Sequence, residues 1–331
     1  MTLSQPLSST PCPIWLDCDP GHDDAMALML AAHHPSLHLL GVSTTGSNQG
    51  VDKTTRNAAA ILTSLGRLDV PVYRGVDRPL LQPIRHDAEI HGESGLDGSF
   101  LLPEPSPEVD IIVKESLSRM AEHLMSSPDP VHLVITGAIT NIALLLFLYP
   151  SVKDHLAQIV FMGGAMGMGN RSPVAEFNIL CDPEAAQMLL LHAHPLPVAM
   201  VPLEVTHSAL VTPKVLEDLR GVCPGPFGSL QRDLLLFFKS TYQTVFGFDH
   251  PPLHDPCAVF YVLSPLLFKT KKMRVDIVVG QGPCKGQTIC DAYGHDPRPP
   301  NVTVCEAMDV EAFWAEMIQA WVRAQIQSPL D

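Results

Sequence analysis

Four aspartates lie within eight residues near the start of this 331-residue chain, in the segment Asp17-Cys18-Asp19-Pro20-Gly21-His22-Asp23-Asp24. Two carboxylates held 4 Å apart repel each other by about 4 kcal/mol at an effective dielectric constant of 20. An enclosed cluster of this kind needs a cation, and oxygen ligands without paired histidine or cysteine favour Ca²⁺ or Mg²⁺. The alternative is a solvated turn in which Asp23 or Asp24 caps a helix. The apolar segments on both sides favour the enclosed site.

Two other segments carry side chains suited to chemistry, His254-Asp255 and Glu176-Phe177-Asn178. A histidine beside an aspartate supplies a general acid and a metal ligand together, because an unperturbed imidazole has a pKa of about 6.5. Glu176 and Asn178 around Phe177 suit the recognition of hydroxyl groups beside an apolar wall. Taken alone, His254-Asp255 also fits a capped helix start with a surface histidine, and Asp182-Pro183-Glu184 fits a simple helix start.

The elements that must position these groups alternate along the chain. Short apolar runs predict strands at residues 14–16, 37–44, 131–136, 159–162, 198–202 and 275–279, and longer runs predict helices at 23–34, 53–65, 110–126, 140–148, 183–191, 229–246, 255–263 and 310–326. Strand-then-helix repetition predicts an α/β fold with a mostly parallel central sheet covered by helices on both faces. The segments 74–106 and 221–226 resemble insertions or lids, and no break in composition marks a second domain.

Small or polar residues follow four of the predicted strands. Besides the aspartate segment, they are Gly46-Ser47-Asn48-Gln49, Thr136-Gly137 with Thr140-Asn141, and Gly163-Gly164 with Gly169-Asn170. Open parallel sheets bind ligands outside the carboxyl ends of their strands. The sequence therefore predicts one polar site along that edge of the sheet.

Composition excludes several classes of function. The net charge is −14, from 35 acidic and 21 basic residues, and no Lys/Arg run gives the basic footprint of a nucleic-acid-binding protein. No stretch approaches the roughly 18 apolar residues of a membrane span. Polar residues without Lys or Arg fill the first ten positions, so we expect a cytoplasmic protein with reduced cysteines. We divide the chain into a polar extension at 1–12 and a single domain at 13–331.

Taken in order, these segments resemble the signature motifs of one enzyme family. The first resembles the DxDxGxDD motif of the inosine–uridine preferring nucleoside hydrolases. The match continues through Gly46-Ser47-Asn48-Gln49, His91-Gly92-Glu93-Ser94-Gly95-Leu96, Thr136-Gly137-Ala138-Ile139-Thr140-Asn141, Met162-Gly163-Gly164 with Gly169-Asn170, Glu176-Phe177-Asn178 with Asp182-Pro183-Glu184-Ala185-Ala186, and His254-Asp255-Pro256. It covers roughly residues 13–325 and implies a single domain with a Rossmann-like sheet.

The resemblance also implies a cofactor and a set of metal ligands. One Ca²⁺ is expected, held by the carboxylates of Asp19, Asp24 and Asp255 and by the backbone carbonyl of Thr136. Asp17 is expected to orient the loop from behind these ligands.

The same resemblance assigns the substrate contacts and the reaction. A ribonucleoside is the expected substrate. Its 2′- and 3′-hydroxyls would contact Asp23 and Asn178, and its 5′-hydroxyl Asn170 and Glu176. Asp19 would take a proton from the attacking water and His254 would protonate the leaving base. The remaining contacts are Asn48 and Met162 beside the ribose, Phe177 as the apolar wall, and His91 and Tyr242 at the base. Nucleoside salvage by a homodimer or homotetramer is implied as well.

Two alternatives remain at this point. A haloacid-dehalogenase-type phosphatase also opens with DxD after a strand, but Gly21 stands where that class normally has Thr or Val, and the class gives no role to His254-Asp255. The second is a catalytically silent relative that binds calcium or nucleosides. The presence of both Asp19 and His254 argues against it. A phosphate-binding loop is not supported, because Asn170-Arg171 follows the glycines where Lys-Ser/Thr is required.

Overall fold

The computed structural model describes residues 11–330. Its ten strands form one sheet in the order β4-β3-β2-β1-β5-β6-β7-β10-β8-β9. The pairs from β4 across to β10 are parallel, and the β10–β8 and β8–β9 pairs are antiparallel. The strands are β1 Cys12–Cys18, β2 Leu37–Thr44, β3 Val72–Arg74, β4 Ile111–Ile112, β5 Val131–Ile135, β6 Leu156–Met162, β7 Val198–Val201, β8 Phe268–Ile277, β9 Thr288–Asp291 and β10 Val302–Met308.

Helices connect the strands and cover the sheet. They are α1 His22–His33, α2 Val51–Ser64, α3 Ala88–His91, α4 Ser116–Ser126, α5 Thr140–Leu148, α6 Phe177–Cys181, α7 Pro183–His192, α8 Leu203–Thr206, α9 Pro213–Val222, α10 Pro226–Phe246, α11 Pro256–Leu263 and α12 Val310–Gln327, with 3₁₀ turns at Pro150–His155 and Pro265–Leu267. None of the helices in residues 11–330 is long and apolar enough to cross a membrane.

Alternating side chains of the central strands fill two apolar cores. In β1, Ile14 and Leu16 pack into one core with α1 and α12, whereas Trp15 packs into the other with α4 and α5. In β5, Leu133 and Val134 divide in the same way. Successive side chains of a strand point to opposite faces, so a central strand with helices on both sides must be apolar throughout. The predicted α/β fold, with a mostly parallel sheet between helices, is confirmed.

The order of the strands in the sheet determines where the predicted polar site lies. The chain builds outward from β1 in one direction through β2, β3 and β4, and in the other through β5, β6 and β7. A crevice opens where the order reverses, at the carboxyl ends of β1 and β5. Helix α1 starts four residues after β1, and all twelve of its residues are buried. The aspartate turn is therefore enclosed, as its apolar flanks predicted.

Several element bounds differ from prediction. The expected helix at 110–126 is wrong in its first part, because Ile111 pairs with Val72 of β3 and Glu115, at φ 54°, separates that strand from α4. A β-branched Ile-Ile pair fits a pleated strand better than a helix start. Strands β3, β4, β9 and β10 and helices α3, α6, α8 and α9 were not predicted. Helix α3 lies inside the segment 74–106 that was expected to be a loop.

The division into an extension at 1–12 and a single domain at 13–331 stays a prediction. Residues 1–10 of the expected extension lie outside the described residues, and β1 already begins at Cys12. All residues from there to 330 belong to elements of the sheet, its covering helices or their connections.

Candidate active site

A cavity opens at the carboxyl ends of the central strands. Twelve of the predicted site residues line it: Asp23, Asn48, His91, Thr136, Met162, Asn170, Glu176, Phe177, Asn178, Tyr242, His254 and Asp255. Asp19 and Asp24 do not line the cavity and are buried, at 1% and 0% exposure. The structure thus brings together residues that are up to 232 positions apart, between Asp23 and Asp255.

Three carboxylates form the most compact acidic group in the described residues. Asp23, Asp24 and Asp255 each place an oxygen within 4.8 Å of the other two. Asp24 is held by the Gly21 amide, which donates to Oδ2 at 3.0 Å, and by the Thr136 hydroxyl, which donates to Oδ1 at 2.8 Å. These donors are neutral, so they orient the carboxylate without cancelling its charge.

Asp19 lies outside that group of three but keeps a free oxygen. Its Oδ2 accepts from the Ser47 hydroxyl at 2.6 Å and from the Asn48 amide at 2.8 Å, whereas Oδ1 has no partner among the described residues. Asp17 turns toward the neighbouring strands instead, where the Ser43 hydroxyl and Asn141 Nδ2 donate to its Oδ1. The Oδ1 of Asp19 is therefore an acceptor that the described residues leave unused, as is the Oδ2 of Asp17.

Burial raises the pKa values of all four acidic side chains, Asp19, Asp23, Asp24 and Asp255. Burial, and then the charge of Asp24, raises the pKa of Asp19 well above its usual range. Burial, and then Asp23 and Asp24, does the same to the pKa of Asp255. The pKa of Asp23 rises to about 7 through burial and the charge of Asp24, and burial raises the pKa of Asp24.

The donor set fits a hard divalent cation. It offers buried carboxylate oxygens, with the free Oδ1 of Asp19 close by, and the carbonyl of Thr136, which accepts one hydrogen bond from Asn178 and keeps a second lone pair. Oxygen ligands of this kind suit Ca²⁺ or Mg²⁺. A metal ion held there would favour the charged carboxylates and so oppose the burial that raises these pKa values.

Amide and carboxylate groups surround the space beside this cluster. Asn178 donates through Nδ2 to the carbonyls of Thr136 (2.8 Å) and Met162 (3.2 Å), which turns its Oδ1 toward the cavity. Glu176 caps α6, with Oε1 accepting from the Asn178 amide and Oε2 from the Gly164 and Ile179 amides. Burial raises the pKa of Glu176 to about 7.

His254 is buried and bonded at both ring nitrogens. Its Nδ1 lies 2.8 Å from the Thr206 hydroxyl, and its Nε2 lies 2.7 Å from the Tyr242 hydroxyl. Burial, and then the charge of His207, lowers the pKa of His254 well below its usual range. This differs from the unperturbed value used in the sequence argument. The proton that such a ring carries is more acidic, and both His254 and Tyr242 line the cavity.

Residues 14–315 match the family model of the inosine-uridine preferring nucleoside hydrolases. The chain belongs to the nucleoside hydrolase family. A probable ribonucleoside hydrolase of Dictyostelium discoideum is 41% identical over 322 residues, covering 93% of this chain and 94% of that one. The pyrimidine-specific ribonucleoside hydrolase RihA of Shewanella sp. strain MR-7 is 42% identical over 302 residues, covering 91% and 93%.

A solved structure agrees with these matches. A purine-preferring ribonucleoside hydrolase from Gardnerella vaginalis superposes with a TM-score of 0.86 at 30% identity, covering 95% of this chain and 99% of that one. The enzyme is therefore a nucleoside hydrolase, and the phosphatase and silent-binder alternatives are set aside. The relatives differ in the bases that their names give.

This nucleoside hydrolase also has cavity residues that the sequence argument missed, namely Asp87, Ile90, Phe238 and Phe246. Phe238 and Phe246 flank Tyr242 at four-residue spacing on α10, so the recurrence of aromatic residues at i, i+4 and i+8 was the available signal. Asp87 pairs with Arg171, which lies over the Phe246 ring at 4.9 Å from its centroid. That contact joins three segments distant in sequence, and no local pattern indicates it.

Proposed function

We propose that this nucleoside hydrolase uses Ca²⁺ to cleave the N-ribosidic bond of ribonucleosides, releasing ribose and the free base. The observation that carries the proposal is the free Oδ1 of buried Asp19, whose carboxylate interacts electrostatically with Asp24 and Asp23 of the compact group that Asp255 completes. This arrangement supplies a proton acceptor and a cation site at one end of a cavity that is lined with amide oxygens.

The metal ligands in this proposal are Asp19, Asp24, Asp255 and the carbonyl of Thr136. Ca²⁺ is preferred because every candidate ligand is an oxygen and because Ca²⁺ accepts six to eight ligands in flexible geometry. When bound, the ion would acidify a water molecule and orient the ribose hydroxyls. Asp23 belongs to the compact group of three carboxylates, so in this proposal it serves the ribose from the edge of the metal site.

The protein's own groups then divide the chemistry. Asp19 Oδ1 accepts a proton from the water whose oxygen bonds to the anomeric carbon while the bond to the base nitrogen breaks. Asp23 and the Oδ1 of Asn178 accept from the 2′- and 3′-hydroxyls. Asn170, whose buried Oδ1 has no partner in the described part of the chain, and Glu176, whose Oε1 accepts one bond, receive the 5′-hydroxyl. Carboxylates this close also stabilise the positive charge that develops on the sugar ring.

His254 is the proposed acid for the leaving base. The proton moves to the base nitrogen from the His254–Tyr242 pair, whose two polar atoms are 2.7 Å apart. The lowered pKa of His254 makes its protonated form a strong donor. Asn48 and Met162 line the ribose space, Phe177 supplies apolar surface, and His91 and Tyr242 contact the base.

The cellular setting is also proposed. We infer a cytoplasmic enzyme of nucleoside salvage that works as a homodimer or homotetramer. Cys18, Cys181, Cys257 and Cys305 are buried free thiols, as expected in a reducing compartment.

The test is ribose release from inosine, uridine, cytidine and adenosine, measured before and after prolonged chelation and after Ca²⁺ or Mg²⁺ is added back. We expect release to disappear with the metal and to return best with Ca²⁺, and the panel will rank the bases. Full activity in the chelated protein would overturn the metal role. Recovery with Mg²⁺ alone would overturn the choice of Ca²⁺.

A further inference from the structure

His22 stands in the middle of the aspartate segment, yet neither the proposed metal site nor the proposed ribose site uses it. Its side chain is fully buried. The imidazole stacks with three rings, with centroid distances of 5.4 Å to His91, 5.1 Å to Phe237 and 5.5 Å to Phe238. A polar ring in such surroundings must have its nitrogens paired.

The partners of His22 fix the position of its proton. Nε2 lies 2.8 Å from the backbone carbonyl oxygen of Asp97, and a carbonyl only accepts, so Nε2 carries the hydrogen. Three aromatic rings pack against this buried imidazole, and no carboxylate oxygen of residues 11–330 bonds to it, so burial favours the neutral form. The remaining nitrogen, Nδ1, then has only a lone pair.

That lone pair faces His91. The two Nδ1 atoms are 3.1 Å apart, which is a hydrogen-bond distance. His22 has no hydrogen to give there, so His91 must donate its own Nδ1–H. In neutral His91 the other nitrogen, Nε2, then carries a lone pair. It has no partner among the described residues, and His91 lines the cavity at its aromatic end, 5.6 Å from the Phe238 ring.

One contact opposes this arrangement. The backbone amide of His22 also points at His91 Nδ1, at 3.3 Å. That bond would require Nδ1 to accept, and it would leave two ring lone pairs opposed at 3.1 Å. The ring-to-ring contact is the shorter of the two and avoids this repulsion, so we assign the proton to His91 Nδ1.

We propose that His22 is a positioning residue that holds His91 as its Nδ1–H tautomer, so that His91 Nε2 accepts a hydrogen bond from an N–H group of the nucleobase. The ligand class in this statement rests on the proposed function. The assignment also separates the two histidines of the site, because a neutral His91 in this tautomer has no proton to give to the leaving base.

The test reads the tautomer directly. Protein labelled with ¹⁵N-histidine is examined by long-range ¹H–¹⁵N correlation, with the His91 signals assigned by their loss in His91→Gln. We expect a protonated Nδ1 and an unprotonated Nε2 in His91. A protonated Nε2 in the wild-type protein would overturn the proposal, because the His22 amide would then be the donor to Nδ1.

Two variants separate tautomer control from packing. The amide of Asn overlaps the Nδ1 position of histidine and that of Gln overlaps Nε2. His22→Asn therefore keeps an acceptor opposite His91, whereas His22→Gln keeps only the bond to Asp97. We expect His22→Asn to retain the wild-type His91 tautomer and His22→Gln to shift it toward Nε2–H. The same tautomer in both variants would overturn the role of His22.

Kinetics then test the contact with the base. For uridine and inosine we expect His22→Gln to lower kcat/KM about tenfold, mainly through KM, as for the loss of one good hydrogen bond, and His22→Asn to stay within about twofold. A shifted tautomer with unchanged kcat/KM would overturn the base contact. A wild-type protein inactive on every nucleoside would instead overturn the proposed function, and the tautomer would still be decided by the spectra.

Discussion

Two regions enclose the cavity, and they are built in different ways. The floor consists of Asp23, Asp255 and Thr136, which line the cavity, together with Asp19 and Asp24, which are buried and do not line it. All five lie at or next to the ends of β1 and β5 or the start of α11. The wall consists of the side chains of His91 on α3 and of Phe238, Tyr242 and Phe246 on α10. The floor is attached to the central sheet, whereas the wall belongs to connections outside it.

The forces that hold the two regions also differ. Short hydrogen bonds from Ser47, Asn48 and Thr136 fix the floor carboxylates within the most buried part of the molecule. The wall depends on ring contacts, on the hydrogen bonds of His91 to His22 and of Tyr242 to His254, and on the ion pairs of Arg171 with Asp87 and Glu89. A region fixed by the sheet suits the ribose, which all substrates share. A region attached through loops suits the base, which varies between relatives.

The largest effect should come from the floor. Asp19→Asn keeps the shape but removes the proposed base and one metal ligand, so we expect kcat/KM on any nucleoside to fall by at least about 10³-fold. Ribose release by protein of native circular dichroism is the measurement. Asp182→Asn is the matched control: this buried aspartate caps α7, so its loss should lower Tm and leave turnover intact. Near-normal turnover in Asp19→Asn would remove the distinction between floor and wall.

A substitution of Glu176 tests whether burial beside the floor makes the free energy of unfolding depend on pH as expected. Its folded-state pKa of about 7 exceeds the unfolded value of about 4.5, so its stabilising contribution is complete below pH 4.5 and is lost as pH rises through 7. The side chain in the Glu176→Gln variant does not titrate, so the variant does not lose stability in this way. In chelator, the unfolding free energy of the variant minus that of wild type should rise by about 3 kcal/mol between pH 4.5 and 7.5. A difference independent of pH would contradict the assignment.

His254 links the floor to the wall through Tyr242. Its replacement by Ala should lower kcat/KM about 10²-fold for inosine or uridine, because the base must leave as a neutral molecule. The loss for 4-nitrophenyl riboside should stay below about tenfold, since that leaving group departs without a proton. Steady-state kinetics on both substrates is the measurement. Equal losses on the two would assign His254 to positioning and not to proton transfer.

The smallest effect is expected for the ion pair that tethers the wall. Arg171→Met keeps the contact with Phe246 and removes the bonds to Asp87, so we expect KM to rise about fivefold, or about 1 kcal/mol, with kcat nearly unchanged. Arg56→Met breaks the exposed pair with Glu104 and should alter neither constant. If kcat falls while KM stays constant, the wall contributes to the chemical step and not only to binding.

The same contrast explains what the sequence could predict. The floor follows from local patterns, since Asp17-Cys18-Asp19-Pro20-Gly21-His22-Asp23-Asp24 lies between an apolar strand and an apolar helix, which together require burial. The alternation of strands and helices follows equally from the hydrophobic periodicity and the length of each segment. Asp23's place in the compact carboxylate group, with Asp19 outside it, required coordinates because side-chain direction in a tight turn has no sequence signal.

The wall was harder to predict from the sequence than the floor. His91 and Tyr242 were named only through family resemblance, and Asp87, Phe238 and Phe246 were missed. Arg171 appeared in the sequence only as the residue that rules out a phosphate loop. Its contact with Asp87 spans 84 residues and depends on how two loops are packed. The depressed pKa of His254 likewise follows from tertiary burial and not from its neighbours in sequence.

Helix α1 begins with His22, Asp23 and Asp24, and all twelve of its residues are buried. In hydrogen-exchange experiments its amides should open only when the whole molecule unfolds, whereas the 92–98 turn that holds His22 from outside should open locally and much faster. Repulsion among the carboxylates therefore cannot relax by fraying of this helix. The electrostatic cost of these carboxylates therefore persists in every fluctuation short of global unfolding, because the surrounding core holds α1 in place.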